Sequence, residues 1–397
     1  MSAPKFEHDT AEMDRLLNGV GEALELTPEQ RLRARAEYNA LGQWLSQPGT
    51  TLGRSEPDVY PQGSTRIGTE VRPLSTADGD ACEHDLDAVA EFRRGRPSAM
   101  AQYEALFQRL SENPRYRPHL ERKNRCVRID FPGEFHLDVL PALPDDARPE
   151  TTCIKIPDRE RRDWTTSNPK GFAKWFEDQG AQARRQFEHR RRMSMLQKAL
   201  APLPELPTFR EKPVLNRVVQ LIKRRRDVVF MGAETAPRSI ILTTLAAEYY
   251  DGEVALLPAL INVVAKMRAA IDEAWPRRIK VLNPTNPREN FADAWRNDDV
   301  AYQRFVDFVR GLESDLVALS QTTGLERVVR LLESLFGSAP VRKSYNVFRE
   351  ELRKAADTGH LRIQKGRGLV AGASTGGVVV PESTHFGAEF FDTIRKR

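Results

Sequence analysis

Gly63-Ser64, Asp85-Leu86-Asp87, Asp138 and, far downstream, Lys223 and Ser239 are residues whose types and order could act together on a phosphorylated substrate. Two carboxylates at i and i+2 of a strand leave from the same face, about 6–7 Å apart along the backbone, so Asp85 and Asp87 can turn toward one hard cation. A third carboxylate on an adjacent strand, Asp138, supplies donors for a second Mg2+. Two such ions about 3.5–4 Å apart clamp an in-line displacement at phosphorus, one serving the attacking hydroxyl and the other the leaving pyrophosphate. Glycine at 63 lets backbone amides approach a phosphate, and the Ser64 hydroxyl adds a donor.

Each signal is weak by itself. An Asp-x-Asp pair is more often a solvated strand face, Gly-Ser more often a turn, and Asp78-Gly79-Asp80 reads as a surface turn with no chemistry. Lys223 belongs to the charged run Lys223 to Arg226, which alone reads as a solvated face. Asp130 competes with Asp138 as the third carboxylate, but it ends a strand beside a turn. Asp138 lies between Leu137 and Val139 in the middle of an apolar alternation, where an unused carboxylate would be costly. His84 and His136 read as polar neighbours on strands and are given no role.

The elements that must position these residues are legible from periodicity. Thr27-Pro28-Glu29-Gln30 is a capping box opening a helix that runs to about Gln47. Val59 to Ser64 reads as a short strand entering a glycine turn, Glu83 to Phe92 as a half-buried strand, and Ser98 to Leu110 as a helix. RCVRIDFPGEFHLDVLPALP reads as a hairpin turning at Pro132-Gly133, with Val127, Ile129, Phe131, Phe135, Leu137 and Val139 facing the core and His136 and Asp138 pointing away. Thr151 to Ile156 is a weaker strand. Asn168-Pro169 starts a helix that becomes basic from Arg184 to Arg192, and Pro202, Pro204 and Pro207 mark a linker. Helical periodicity then dominates, in Leu215 to Ile222, Ser239 to Tyr250, Glu253 to Ala274, Tyr302 to Leu319 and Leu325 to Phe336. From about Gly366 the chain reads as a loose Gly/Ser/Val-rich tail. Strands with helices first and helices afterwards make the expected class α+β.

Composition sets the outer limits. The chain has 397 residues, 40% hydrophobic and 29% charged, which fits a globular protein of two or three cores and excludes global disorder. No run approaches the ~20 apolar residues that span a bilayer, and the charged start lacks a signal-peptide pattern, so a cytoplasmic location is expected. Cys82, Cys126 and Cys153 show no zinc-binding spacing. A net charge of +5 suits a nucleotide partner as well as a nucleic acid.

The blocks PQGSTRIGTEVRPL, EHDLDAVAEF and FHLDVLPALPD, in that order, resemble the catalytic core of the polymerase-beta-like nucleotidyltransferases. Within them the likeness is to the cGAS/DncV-like nucleotidyltransferases of bacterial anti-phage (CBASS) signalling. IPDRERRDWTTSNPKGFAKWF, LIKRRRDVVF, APRSIILTTLAAEYY and NPTNPRENFADAW resemble later blocks of that family and of the oligoadenylate synthetases, so the likeness spans about residues 10–300. It implies a mixed β-sheet core with flanking helices, a C-terminal helical domain, and an active site in the cleft between them. Residues 1–200 would form the catalytic core, 201–365 the helical domain and 366–397 the tail.

The resemblance also implies roles. Gly63 and Ser64 would hold a triphosphate, Asp85, Asp87 and Asp138 two Mg2+ ions (Mn2+ substituting), and Lys223 and Ser239 the donor triphosphate. The implied reaction joins ATP or other nucleoside triphosphates into a cyclic di- or trinucleotide messenger for a downstream effector, under a regulatory partner protein. A transferase acting on RNA or a protein would use the same aspartates, with the basic helix as its substrate groove; a non-catalytic nucleotide binder would not need all three. The zinc cluster of the DNA-sensing animal relatives is missing, so direct DNA sensing is not expected, and the basic C-terminus leaves conjugation open.

Overall fold

The computed structural model describes residues 10–74, 84–133, 135–148, 151–181, 185, 212–357, 361–364 and 368–371. The turn at Asp78-Gly79-Asp80 and the surrounding loop, the basic residues Arg184 and Arg190 to Arg192, the proline linker and most of the tail lie outside the described residues.

The sheet-bearing half is built on two parallel neighbours, β2 (His84–Phe92) and β5 (Phe135–Pro144). Around them the order is β1 (Pro57–Pro61), β2, β5, β4 (Val127–Phe131) and β3 (Leu120–Arg122), with β6 (Ile154–Asp158) and β7 (Asp163–Ser167) continuing from β5. The hairpin turns where Pro132-Gly133 predicts; Gly133 has φ +75°, a conformation that glycine adopts without a Cβ penalty. Alternation then decides the faces. Leu86, Ala88 and Ala90 of β2, Leu137 and Val139 of β5, and Val127 and Ile129 of β4 enter one apolar cluster. Covering it are α2 (Pro28–Leu45), through Ala34, Leu41 and Leu45, and α4 (Ala99–Ser111), through Tyr103, Leu106 and Leu110. Because side chains alternate, every intervening residue of those strands faces the other way. The predicted capping box at Thr27 is present in full.

The helical half centres on α6 (Val214–Phe230), buried on nearly every side. Around it lie α7 (Ser239–Tyr249), α8 (Leu256–Ala274), α9 (Asp299–Gln321), α10 (Leu325–Phe336) and α11 (Ser338–Asp357). Two helices from earlier in the sequence join this core. One is α1 (Thr10–Ala23), whose Met13, Leu16, Leu17 and Val20 fall at i, i+3, i+4 and i+7; the other is α5 (169–181), through Phe172, Ala173 and Phe176. Gly19 of α1 meets Ser344 of α11, and the Ser344 hydroxyl donates to the Leu16 carbonyl at 2.8 Å. Two short ribbons accompany the helices: β8 (Leu282–Asn283) with β9 (Asn286–Asn290) between α8 and α9, and β10 (Leu361–Gln364) with β11 (Gly368–Ala371) after α11. The second places a paired strand inside the segment that composition reads as loose. The α+β architecture expected from the sequence is the one observed.

Candidate active site

The polar face of the sheet carries two rows of side chains across three strands. Asp87 of β2 lies opposite Asp138 of β5, which lies opposite Arg128 of β4; two residues along, Asp85 lies opposite His136, and His136 opposite Asp130. The structure therefore brings Asp85, Asp87 and Asp138 onto one patch. The arginine forks both oxygens of Asp138, Nε at 2.8 Å and Nη2 at 2.9 Å, and Nη2 reaches Asp85 at 3.4 Å. His136 sits 3.4 Å from Asp85 through Nδ1 and 3.4 Å from Asp130 through Nε2. The half-buried Cys126 thiol is pushed up by burial and then by Asp138, with which it is hydrogen-bonded, so it stays protonated.

Gly63 and Ser64 open α3 (Gly63–Ile67), immediately after β1. Gly63 has φ +57°, and a Cβ there would stand 2.5 Å from Asp87 Oδ2, so only glycine lets this turn lie against the carboxylate. Two further bonds reach the Asp87 carbonyl: the Gln62 amide donates at 3.0 Å and ties the turn to β2, and the Tyr38 hydroxyl donates at 2.6 Å and ties α2 to the same strand.

Lys223 comes from the helical half. It is 7% exposed and donates to the Thr69 carbonyl at 2.8 Å, just beyond α3, and its charge acts on Asp87. Burial first, and then Arg226 one turn along, bring its ammonium down to about 8. Ser239, the first residue of α7, accepts from Arg226 at 2.8 Å and so joins this basic cluster rather than the carboxylate face. Asp87 shows the balance of charge: burial, then Asp138 and Asp85, push it up to about 7, against the smaller pull of Lys223 and Arg128.

The resemblance read from the sequence implies divalent metal ions at this face. The chemistry fits: three carboxylates, all hard oxygen donors, carry more negative charge than their neighbours neutralise. The geometry is not closed. Among the described residues no three His, Cys, Asp or Glu side chains converge tightly enough to hold an ion, and both Asp138 oxygens are taken by Arg128.

Arg128, Arg226 and Tyr38 are members of this site that the motif reading leaves out. Pairing Phe131 with Phe135, which the two apolar alternations require and a bare two-residue turn does not give, sets Arg128 opposite Asp138, so that signal was available. Arg226 was hidden within a charge run, and Tyr38 within an amphipathic helix.

Residues 18–180 match the family described as Second Messenger Oligonucleotide or Dinucleotide Synthetase domain. A c-di-GMP synthase of Roseivirga ehrenbergii is 32% identical over 353 residues, covering 88% of this chain and 90% of the relative. The chain belongs to the CD-NTase family. It is a nucleotidyltransferase. The cyclic dinucleotide synthase CdnG of Bradyrhizobium diazoefficiens is 25% identical over 378 residues, covering 91% of this chain and 89% of that one. Its structure in complex with GTP superposes with a TM-score of 0.67 over 85% of this chain and 99% of that chain, at 24% identity. A structure of E. coli MS115-1 CdnC with a HORMA protein shares the fold, with a TM-score of 0.57 at 14% identity over 83% of this chain and 98% of that one. The CD-NTase fold places a mixed sheet with flanking helices against a C-terminal helical region, as here. Among the described residues no helix is long and apolar enough to cross a membrane.

Proposed function

We propose that this CD-NTase joins two ribonucleoside triphosphates into a cyclic dinucleotide, with a trinucleotide as the larger alternative, and that the product is a second messenger of anti-phage (CBASS) defence. The observation that carries the reading is the in-register pairing of Asp87 with Asp138, with Asp85 on the same face. Whole-length similarity to a c-di-GMP synthase makes GTP the first substrate to test, with ATP beside it.

Asp85, Asp87 and Asp138 would hold the divalent cations, Mg2+ with Mn2+ as a substitute. Bound there, they would lower the pKa of the attacking ribose hydroxyl and neutralise charge on the leaving pyrophosphate. The hydroxyl of one nucleotide attacks the α-phosphorus of the other, pyrophosphate leaves, and a second round closes the ring. Gly63 and Ser64 present backbone and hydroxyl donors to the triphosphate from beside Asp87. Lys223, with Arg226 and Ser239 along the same cluster, supplies positive charge from the helical half. The messenger would act on a downstream cyclic-nucleotide-activated effector, and a regulatory protein partner, of the kind seated on CdnC in its complex, would control the enzyme.

The test is incubation of purified protein with all four α-³²P-labelled ribonucleotides and Mg2+ or Mn2+, then phosphatase and mass spectrometry. A phosphatase-resistant cyclic product is expected, and none from the Asp85→Asn/Asp87→Asn variant. Label transferred to RNA or protein would replace this reading with the other transferase class, and wild-type synthesis by the double variant would remove the metal assignment.

A further inference from the structure

Arg128 holds the third carboxylate of the patch. It lies directly across the β4–β5 ladder from Asp138, and its guanidinium takes both oxygens of that carboxylate while extending one nitrogen to Asp85. The pair is sheltered, with side-chain exposures of 21% for Arg128 and 15% for Asp138, whereas Asp85 is 66% exposed. A fork of this kind is among the stronger side-chain contacts, because it satisfies charge and direction together. Asp138 is thus already ion-paired, and both of its oxygens are engaged.

We propose that Arg128 is a built-in counter-ion that competes with the divalent cation for Asp138, and that it gives up at least one Asp138 oxygen when the cation binds. The inference rests on the metal reading above. The arginine then has two duties. Without metal it offsets part of the repulsion among three carboxylates on one face; as metal arrives it sets the concentration at which the site fills. The partial exposure of Arg128 gives the released guanidinium a way toward water.

A long-range effect of its charge is a different account, and a charge-preserving substitution separates the two. Lysine at 128 keeps the charge but is a point donor, unable to fork both oxygens. The experiment is titration of the full chain, free of nucleotide, with Mn2+, reading free Mn2+ by electron paramagnetic resonance, with circular dichroism to establish folding. Arg128→Met is expected to bind Mn2+ at least about tenfold more tightly than the unaltered chain, since a charge a few ångströms away no longer opposes the ion. Arg128→Lys is expected to fall between them. In thermal melts, added Mn2+ should raise the midpoint of Arg128→Met more than that of the unaltered chain, because only the variant starts with no counter-ion in place.

Unchanged or weaker Mn2+ binding by Arg128→Met overturns the proposal, and so does Arg128→Lys binding as the unaltered chain does while Arg128→Met binds more tightly. Should the methionine variant fail to fold, the lysine variant decides alone. The Asp85→Asn/Asp87→Asn variant distinguishes the two layers of the argument. If it still binds Mn2+ as well as the unaltered chain, the metal reading fails and takes this inference with it; if it loses Mn2+ while both Arg128 variants match the unaltered chain, only the inference fails.

Discussion

Burial first, and then the like charges of Asp138 and Asp85 on the same face of the sheet, raise the free energy of the ionised Asp87 carboxylate. Its carboxyl is pushed from the ordinary range up to about 7. The folded chain without metal therefore holds that proton more tightly than the unfolded chain does. The sign follows from linkage: the stabilisation is present in full below the unfolded value of about 3.9 and is lost as pH rises through about 7. In EDTA, denaturation at pH 5 and pH 8 should show the unaltered protein losing more stability with rising pH than Asp87→Asn. At pH 8 the asparagine variant should be the more stable, by roughly 1–3 kcal/mol; identical pH slopes would refute this account of Asp87. Gly63 makes a second argument at this scale. Alanine there meets Asp87 Oδ2 at 2.5 Å and must also hold φ +57°. Gly63→Ala is expected to lose about 1–2 kcal/mol of stability and more than about tenfold in rate, because the turn must withdraw from the reacting centre. Initial-rate measurements beside denaturation curves check both.

At the scale of elements, α6 does more than fill the helical core. Asn216, Gln220, Lys223 and Arg224 fall at i, i+4, i+7 and i+8, and their side chains donate to the carbonyls of Ile67, Glu70, Thr69 and Arg72. One polar stripe on a buried helix thus captures the end of α3 and the residues that follow it to Arg72, and so fixes α3 and its Gly63-Ser64 start. Replacing Asn216 by leucine removes the 2.6 Å bond to Ile67 and leaves that carbonyl unpaired, a loss of about 1–3 kcal/mol. Its effect on catalysis should fall on KM for the nucleotide more than on kcat, since α3 shifts while the carboxylates stay; steady-state kinetics showing kcat alone reduced would contradict it. The same stripe shows why some of the protein was legible in its sequence and some was not. The β4–β5 hairpin was readable once its turn and its two apolar alternations are taken together, because pairing Phe131 with Phe135 keeps both apolar faces on one side and sets Arg128 opposite Asp138. The parallel pairing of β2 with β5 follows no local rule: the partner lies across a crossover more than forty residues long, and only the apolar alternation says which face is wet. Lys223 to Arg226 read as solvated charge since the acceptors that bury Lys223 and Arg224 are backbone atoms distant in sequence. The β8–β9 ribbon, nearly all polar, offered no periodicity at all.

On the scale of the whole molecule, the two halves keep separate apolar cores and meet through polar seams. One seam is the α6 stripe. The other joins the β6–β7 end of the sheet to the β8–β9 ribbon: Arg148 donates to Asn286 and Thr166, Ser167 donates to Glu289 at 3.1 Å, and the Asn168 amide donates to the Thr285 carbonyl at 3.0 Å. Polar seams specify one geometry but add little apolar stabilisation, so whether the halves unfold together depends on how much of each core the other half's chain supplies. Here that sharing is extensive. Helices α1 and α5 and the Ile67 side chain all belong to the helical core, although they flank the sheet strands in sequence. Leu17 of α1 is fully buried there, and Leu17→Ala should cost about 2–5 kcal/mol through lost burial and the cavity left behind. Because α3 is pinned to that core by Ile67 and by α6, loss of the helical half should release the Gly63 turn from Asp87, and sheet and helices should unfold in one transition. Calorimetry of Leu17→Ala is then expected to show a single peak moved to lower temperature, with activity lost across that same peak. Two resolved peaks, with activity disappearing in the first, would mean that the seams hold the halves in register without making them one cooperative unit.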